Sequence, residues 1–296
     1  MFVLFRNYVM DTRYGVDYCR LRKFFLTNGR AGFSFGRWDW MISHAYLDVE
    51  GLPRIGIWEK DGEIVGVVLY DTVLDGCCFF SLKDGFDNLY VEMIAYAETH
   101  LAGPDGVMLA VRDEDGRFQD AALRMGYRPT QYKDCTSIFE MDENRLEFEL
   151  PEGFVVTSMR DTFDPYQYGR ILWNGFNHEL DGDGPYLPSQ DDLDGFRKEF
   201  ERPNVNLDLK IAIVAPDGNF AAYCGMWQDN ASTDVLVEPV ATDPVYRKMG
   251  LGRAAVLEAI RRCAALGAKH AYVGSSQQFY YNIGFKPSTA STFWTK

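Results

Sequence analysis

The strongest constraint on this chain is that it repeats itself. Setting Gly126 on Gly284 aligns Gln119 with Gln277, Met125 with Ile283, Tyr127 with Phe285, Arg128 with Lys286 and Pro129 with Pro287. Upstream, Asp61-Gly62 falls on Asp217-Gly218, and in each copy the pair separates two apolar runs. An Asp-Gly pair supplies the positive φ angles of a tight turn, so each copy is read as a β-hairpin. Two such copies call for one fold made twice, and 296 residues suit two domains of about 150. The expected domains are 1–145 and 146–296, because the segment 141–153 is charged and carries Pro151.

Periodicity fills in each copy. After a helical opening, the first half is expected to place strands at 54–58, 64–70 and 76–82, a helix at 89–101, a strand at 107–111 and a short helix at 118–125. The counterparts in the second half are 209–214, 220–227, 233–242, 250–266, 270–274 and 277–283. In the helix of the second half Ala255, Ala259, Ile260, Cys263 and Leu266 form an apolar stripe. Arg253, Glu258, Arg261 and Arg262 fall on the expected wet side.

The copies differ where chemistry would sit. Residues 235–254, VLVEPVATDPVYRKMGLGRA, read as an apolar strand, a turn and a glycine corner opening a helix. The first amides of a helix have no internal partner and carry partial positive charge, so such a corner can hold a pyrophosphate. Gly250 and Gly252 keep Cβ atoms away from an approaching anion, and Arg247, Lys248 and Arg253 add cations. The GxxxxGK[ST] spacing of nucleotide loops is absent, and GxGxxG is not completed. At the same place the first half reads Lys83-Asp84-Gly85-Phe86-Asp87-Asn88, whose carboxylates would repel phosphate.

The spacing Arg247-x-x-Gly250-x-Gly252 after an apolar strand resembles motif A of the GCN5-related N-acetyltransferases (GNAT). Phe279-Tyr280-Tyr281-Asn282-Ile283-Gly284-Phe285 resembles the same family's [LF]-Y-x-x-x-G-F. The resemblance implies an α+β or α/β chain of two tandem GNAT folds, each a mixed, mostly antiparallel sheet flanked by helices. Tandem members such as mycothiol synthase pair a degenerate first copy with a working second one, and this chain looks similar.

The resemblance further implies acetyl-coenzyme A as acyl donor. Its contacts would be the backbone of Val240, Ala241 and Thr242 and the corner Arg247, Lys248, Met249, Gly250, Leu251, Gly252, Arg253 and Ala254. Tyr280 would protonate the leaving sulfur, while its position in the first copy is Ala122. Glu238, in an otherwise apolar strand, is the candidate base; an edge-strand charge is the alternative. The implied activity is transfer of acetyl to a primary amine in a ternary complex. The alternatives are a non-catalytic acyl-coenzyme A sensor or a transferase of a longer acyl group.

Composition narrows the partners. A net charge of −13 argues against nucleic acid and permits a cationic, small-molecule amine. Asp181, Asp183 and Asp191, in an acidic loop, could attract such an amine, or the loop is simply solvated. Trp173, Phe176 and Trp227 line a pocket or belong to the core. The six cysteines form no CxxC pair, and the four histidines give no zinc spacing, so no metal is expected. No run of 18 apolar residues occurs, and the N-terminus lacks a secretory pattern, so a cytoplasmic protein without a membrane partner is expected.

Overall fold

The computed structural model describes residues 2–28, 33–142 and 145–296. They fall into two compact units, Met1–Thr136 with Pro287–Lys296, and Ser137–Lys286. The chain therefore crosses between units inside a strand, not in the charged segment 141–153, of which residues 143–144 lie outside the described residues.

Unit 1 runs β1 (Leu4–Asn7), α1 (Val16–Thr27), α2 (Phe35–Ser43), β2 (Gly56–Lys60), β3 (Glu63–Leu69), β4 (Cys77–Leu82), α3 (Tyr90–His100), β5 (Met108–Arg112), α4 (Gly116–Arg124) and β6 (Arg128–Glu140). Unit 2 runs β7 (Val155–Ser158), α5 (Pro165–Gly175), α6 (His178–Asp181), α7 (Gln190–Phe200), β8 (Lys210–Val214), β9 (Phe220–Trp227), β10 (Asp234–Thr242), α8 (Leu251–Ala265), β11 (His270–Val273) and α9 (Gln278–Ile283). The closing strand β12 is Lys286–Thr295. Apart from the one-turn α6, the two halves have the same order of elements, as the repeat requires.

Each sheet is antiparallel except for one parallel pair, β4 with β5 in unit 1 and β10 with β11 in unit 2. The hairpins turn where expected: Asp61 and Gly62 both have positive φ, and Gly218 has φ +86°. The closing strands are exchanged. Residues 137–140 of β6 pair with β11 in unit 2, whereas β12 pairs with β5 in unit 1. Strand pairing is read through main-chain groups, so either closing strand can fill either slot, and the sequence repeat does not distinguish the two arrangements.

Unit 2 is built around α8, which lies on β8, β9 and β10. Leu251, Ala255, Leu257, Ile260 and Cys263 are buried in the core with Ile211, Val235 and Val237. Full burial of Leu257 and Ile260 stabilises by about 2 kcal/mol each. Two expectations for this helix fail. Leu266 is 52% exposed, and Glu258 is buried at 3% exposed. Glu258 is tolerated there because Arg261 and Arg262 bond both of its oxygens at 2.8 to 2.9 Å. Helix α5, which also packs on β9 and β10, is capped by Asp164, whose side chain accepts from the Tyr166 and Gln167 amides, with Pro165 in the first turn.

Candidate active site

The site begins with a sheet that opens. β10 pairs with β11 at Asp234↔His270, Val235↔Ala271 and Leu236↔Tyr272, and with β9 along the rest of its length. Beyond Leu236 the parallel neighbour is gone, and a cleft of about 870 Å³ lies there. Val237, Glu238, Val240, Ala241 and Thr242 line one wall, Val273, Gly274 and Ser275 the other, and Gly250 to Arg253 one end. A bulge follows the parting: pairing with β9 jumps from Val237↔Met226 to Val240↔Cys224. Pro239 brings no N–H to a ladder, which fits it to this irregularity.

The glycine corner has the expected form but different reasons for its glycines. Gly250 has φ +81° and caps α8 without a side-chain bond. A Cβ there would meet nothing, so the left-handed backbone is what selects glycine. At Gly252 a Cβ would stand 2.6 Å from Thr242 Oγ1 and 3.3 Å from the Phe279 ring. Gly252 thus serves packing between helix and strand. The Ala254 amide donates to Gly250 O at 3.0 Å, so the helix bonding starts with it. The amides of Leu251, Gly252 and Arg253 precede it and have no partner within the helix, and these three residues line the cleft end. Ala254 itself is buried, Met249 is 42% exposed, and neither lines the cleft.

The cations divide similarly. Arg247 donates to Thr242 O at 3.2 Å, to Gly175 O at 2.9 Å and to Asn177 Oδ1 at 2.6 Å. It clamps the end of α5 to the end of β10. Arg253 donates to Glu147 O at 3.2 Å. Lys248 is exposed, with φ +64°, beside the free amides.

Tyr280, on α9, lines the cleft and is 7% exposed, with its ring against Phe279 and Phe285. Burial, then the neighbouring Cys224 and Glu238, push its hydroxyl well above the usual tyrosine range. It therefore stays a neutral donor at any physiological pH. Glu238 is half-buried in the same cleft, and its carbonyl accepts from Trp227 Nε1 at 2.9 Å. Cys224 and Cys263 are buried free thiols, and burial raises Cys263 to about 12.

Several lining residues carry no sequence signal of their own. Gly175 lets α5 touch β10: its Cβ would lie 2.7 Å from Ala241 Cβ and 3.0 Å from Thr242 N. Asn177 and Gln277 line the cleft through their place in the fold, beside Phe176 and the motif residues Phe279 and Asn282. Asp243, 2% exposed, fixes the strand end by accepting from Arg170 at 2.7 Å and Asn174 at 3.0 Å. The acidic loop stays outside the cleft. His178 bonds Asp183 at 2.8 Å and stacks on Trp173, Asp191 is exposed, and Asp181 ends the one-turn α6. Trp173 donates to Gly184 O at 3.0 Å, and Trp227 is buried. Of the three aromatics only Phe176 lines the cleft.

Unit 1 has the same opening with other chemistry. β4 and β5 pair only at Cys77↔Met108 and Cys78↔Leu109. The cleft beyond holds about 320 Å³ among Lys83, Asp84, Asp87, Arg112, Glu114, Asp115 and Arg117. Arg117 is paired with Asp87 and Arg112 with Glu114. Ala122 is buried in α4 and has no group to donate.

Residues 172–285 match the family model of the acetyltransferase (GNAT) family. Two solved structures share the fold over nearly the whole length. One is a GCN5-related N-acetyltransferase from Sphaerobacter thermophilus, 15% identical, with a TM-score of 0.59, covering 99% of this chain and 95% of that one. The other is a tandem GNAT protein from the clavulanic acid biosynthesis pathway, solved without acetyl-coenzyme A. It is 13% identical, with a TM-score of 0.63, covering 99% of this chain and 98% of that one. No curated protein matches the chain in sequence.

Proposed function

We propose that the second half of this chain, a GNAT acetyltransferase domain, takes acetyl-coenzyme A as acyl donor and passes acetyl to a primary amine by direct attack in a ternary complex. The observation that carries this reading is the parting of β10 from β11 after Leu236, which leaves an open strand edge beside the amides of α8. A pantetheine arm is an amide-bearing chain and can pair with such an edge. Its pyrophosphate suits the free amides of Leu251 to Arg253 and the ammonium of Lys248. A main-chain amide of Val240 to Thr242 would polarise the thioester carbonyl.

In this reading the amine attacks the carbonyl carbon, the C–S bond breaks, and the thiolate leaves toward Tyr280. Thiols ionise near pKa ~8.5 and free phenols near ~10, so full transfer from Tyr280 is uphill by about 2 kcal/mol before burial is counted. Tyr280 accordingly acts as a neutral hydrogen-bond donor to the departing sulfur. Its proton moves only as the amine gives one up, with Glu238 as the acceptor of that second proton. The six free cysteines fit a reducing compartment, so the same reading places the protein in the cytoplasm. No described helix is long and apolar enough to cross a membrane.

The test is calorimetric titration of the protein with acetyl-coenzyme A and with coenzyme A, followed by thiol release across a panel of small amines. Binding of both with turnover on at least one amine supports the reading. Binding without turnover on any amine would leave a sensor, and no binding would remove the assignment.

A further inference from the structure

We propose that Trp227 is a positioning residue for the main-chain amides of residues 240–242, acting through the carbonyl of Glu238, and that Lys210 holds Trp227 in that role. The inference rests on the reading above for its consequence in catalysis, but its structural part stands on β8, β9 and β10 alone.

The bulge in β10 sets Glu238 and Pro239 together against Gly225. Such a bulge needs a reason to stay where it is, because a slip of one residue would send every later side chain to the opposite face. Three features of the neighbouring strands hold it. At Gly225 a Cβ would stand 2.5 Å from Glu238 O and 3.3 Å from Pro239 Cδ, so only glycine leaves room for the displaced carbonyl. Trp227, two residues further along β9, donates Nε1–H to that carbonyl at 2.9 Å. The indole is 4% exposed, so no bulk water can replace it. Lys210, on β8 opposite Gly225, sets its ammonium 3.3 Å from the centre of the Trp227 ring and donates to Met226 O at 2.9 Å.

Lys210 is 2% exposed, and a buried ammonium is costly unless its donors are used. Fixed by a carbonyl and a ring face, it leaves the indole one position, and the indole leaves the Glu238 carbonyl one position. The peptides that follow set Val240, Ala241 and Thr242 on the cleft wall, with their amides alternating between β9 and the open edge. Without the indole N–H, the Glu238 oxygen becomes a buried acceptor with a lost donor. The bulge is then free to relax and the amides lose their fixed aim.

The test is Trp227→Phe, which keeps a ring and removes the N–H. Hydrogen exchange in the free protein should be at least ten-fold faster at residues 237–242 and unchanged in α8. In turnover, kcat should fall about ten-fold, while affinity for coenzyme A, which has no acyl carbonyl, stays within two-fold. Lys210→Met should give the same pattern more weakly. Should Trp227→Phe fold poorly, Gly225→Ala, which puts a methyl against the same oxygen, must speed exchange at the same residues. Unchanged exchange at 237–242 in a folded variant overturns the proposal, as does a uniform rise across unit 2, which would mean ordinary packing. If the unaltered protein binds no coenzyme A, the functional reading fails while the exchange result still decides the role of Trp227.

Discussion

Replacing Tyr280 with Phe separates chemistry from scaffold more cleanly than any other change in the cleft. The ring is the buried part, packed on Phe279 and Phe285, and the substitution leaves it in place. Burial and two neighbouring groups, without a hydrogen bond, account for the raised hydroxyl, so removing it strands no protein donor or acceptor. Stability should change by less than about 0.5 kcal/mol. In the proposed reaction the hydroxyl faces a sulfur gaining negative charge. A hydrogen bond to a charged partner contributes about 1.5–3 kcal/mol, which slows kcat by roughly 10- to 150-fold. Affinity for coenzyme A should stay within about three-fold, because the neutral thiol gains little from the bond.

The pH profile sharpens the test. A phenol whose pKa is raised is protonated below that pKa and lost as a donor only above it. Tyr280 therefore remains competent through pH 9, and no alkaline fall in kcat in that range comes from it. The assay is release of free thiol over pH 6–9 for both proteins, with thermal unfolding and calorimetry alongside. Equal kcat in Tyr280→Phe would refute the donor role. A loss of several degrees in Tm would show that the hydroxyl is structural after all.

Other changes follow from the corner and its supports. Gly252→Ala forces a methyl against Thr242 Oγ1 and should cost about 1–3 kcal/mol in urea unfolding. Gly250→Ala strains only a left-handed residue and should cost about 1 kcal/mol; the reverse order would contradict the packing account. Lys248→Ala should weaken coenzyme A binding with a smaller salt dependence and leave Tm unchanged, whereas Arg247→Ala should lower both, since it also frees the end of α5. Asp243→Asn leaves the 15% exposed Arg170 side chain without its countercharge and should cost about 3 kcal/mol in thermal or urea unfolding; a neutral result would mean the strand end is held by something else.

Much of this was legible because the signals are local. The Asp-Gly hairpins, the strand into the glycine corner and the amphipathic α8 all write their geometry into neighbouring residues. Gly250 and Tyr280 were found that way, and both line the cleft. What stayed hidden depends on residues far apart in the chain. Gly175 matters only because α5 lands on Ala241 and Thr242, and the bonds of Arg247, itself a cleft-lining residue, to Gly175 O and Asn177 are invisible from its own segment. Helix periodicity places Glu258 in water and cannot register that Arg261 and Arg262 fold back over it. The exchange of closing strands leaves no mark in composition, since β6 and β12 carry similar patterns in either arrangement.

Comparing the two clefts shows which feature of the fold is cheap to keep and which is not. Both parallel pairs part after two or three residue pairs, so the opened sheet is a property of the backbone that both copies retain. The charge at the cleft end is carried by a handful of side chains and differs. In unit 2 the helix opens behind Lys248, Gly250 and Arg253; in unit 1 Asp84 and Asp87 stand at the corresponding place, and Arg117 is already committed to Asp87. Two like charges 4 Å apart cost about 4 kcal/mol at an effective dielectric of 20, enough to offset roughly a thousand-fold of phosphate affinity. Shape alone therefore predicts binding in both units, and electrostatics predicts it in one. Titration of the whole chain with acetyl-coenzyme A decides between them: one site per chain, abolished by reversing Lys248 to Glu, agrees with the electrostatic account, while two equivalent sites would mean that the carboxylates of unit 1 do not reach the phosphates.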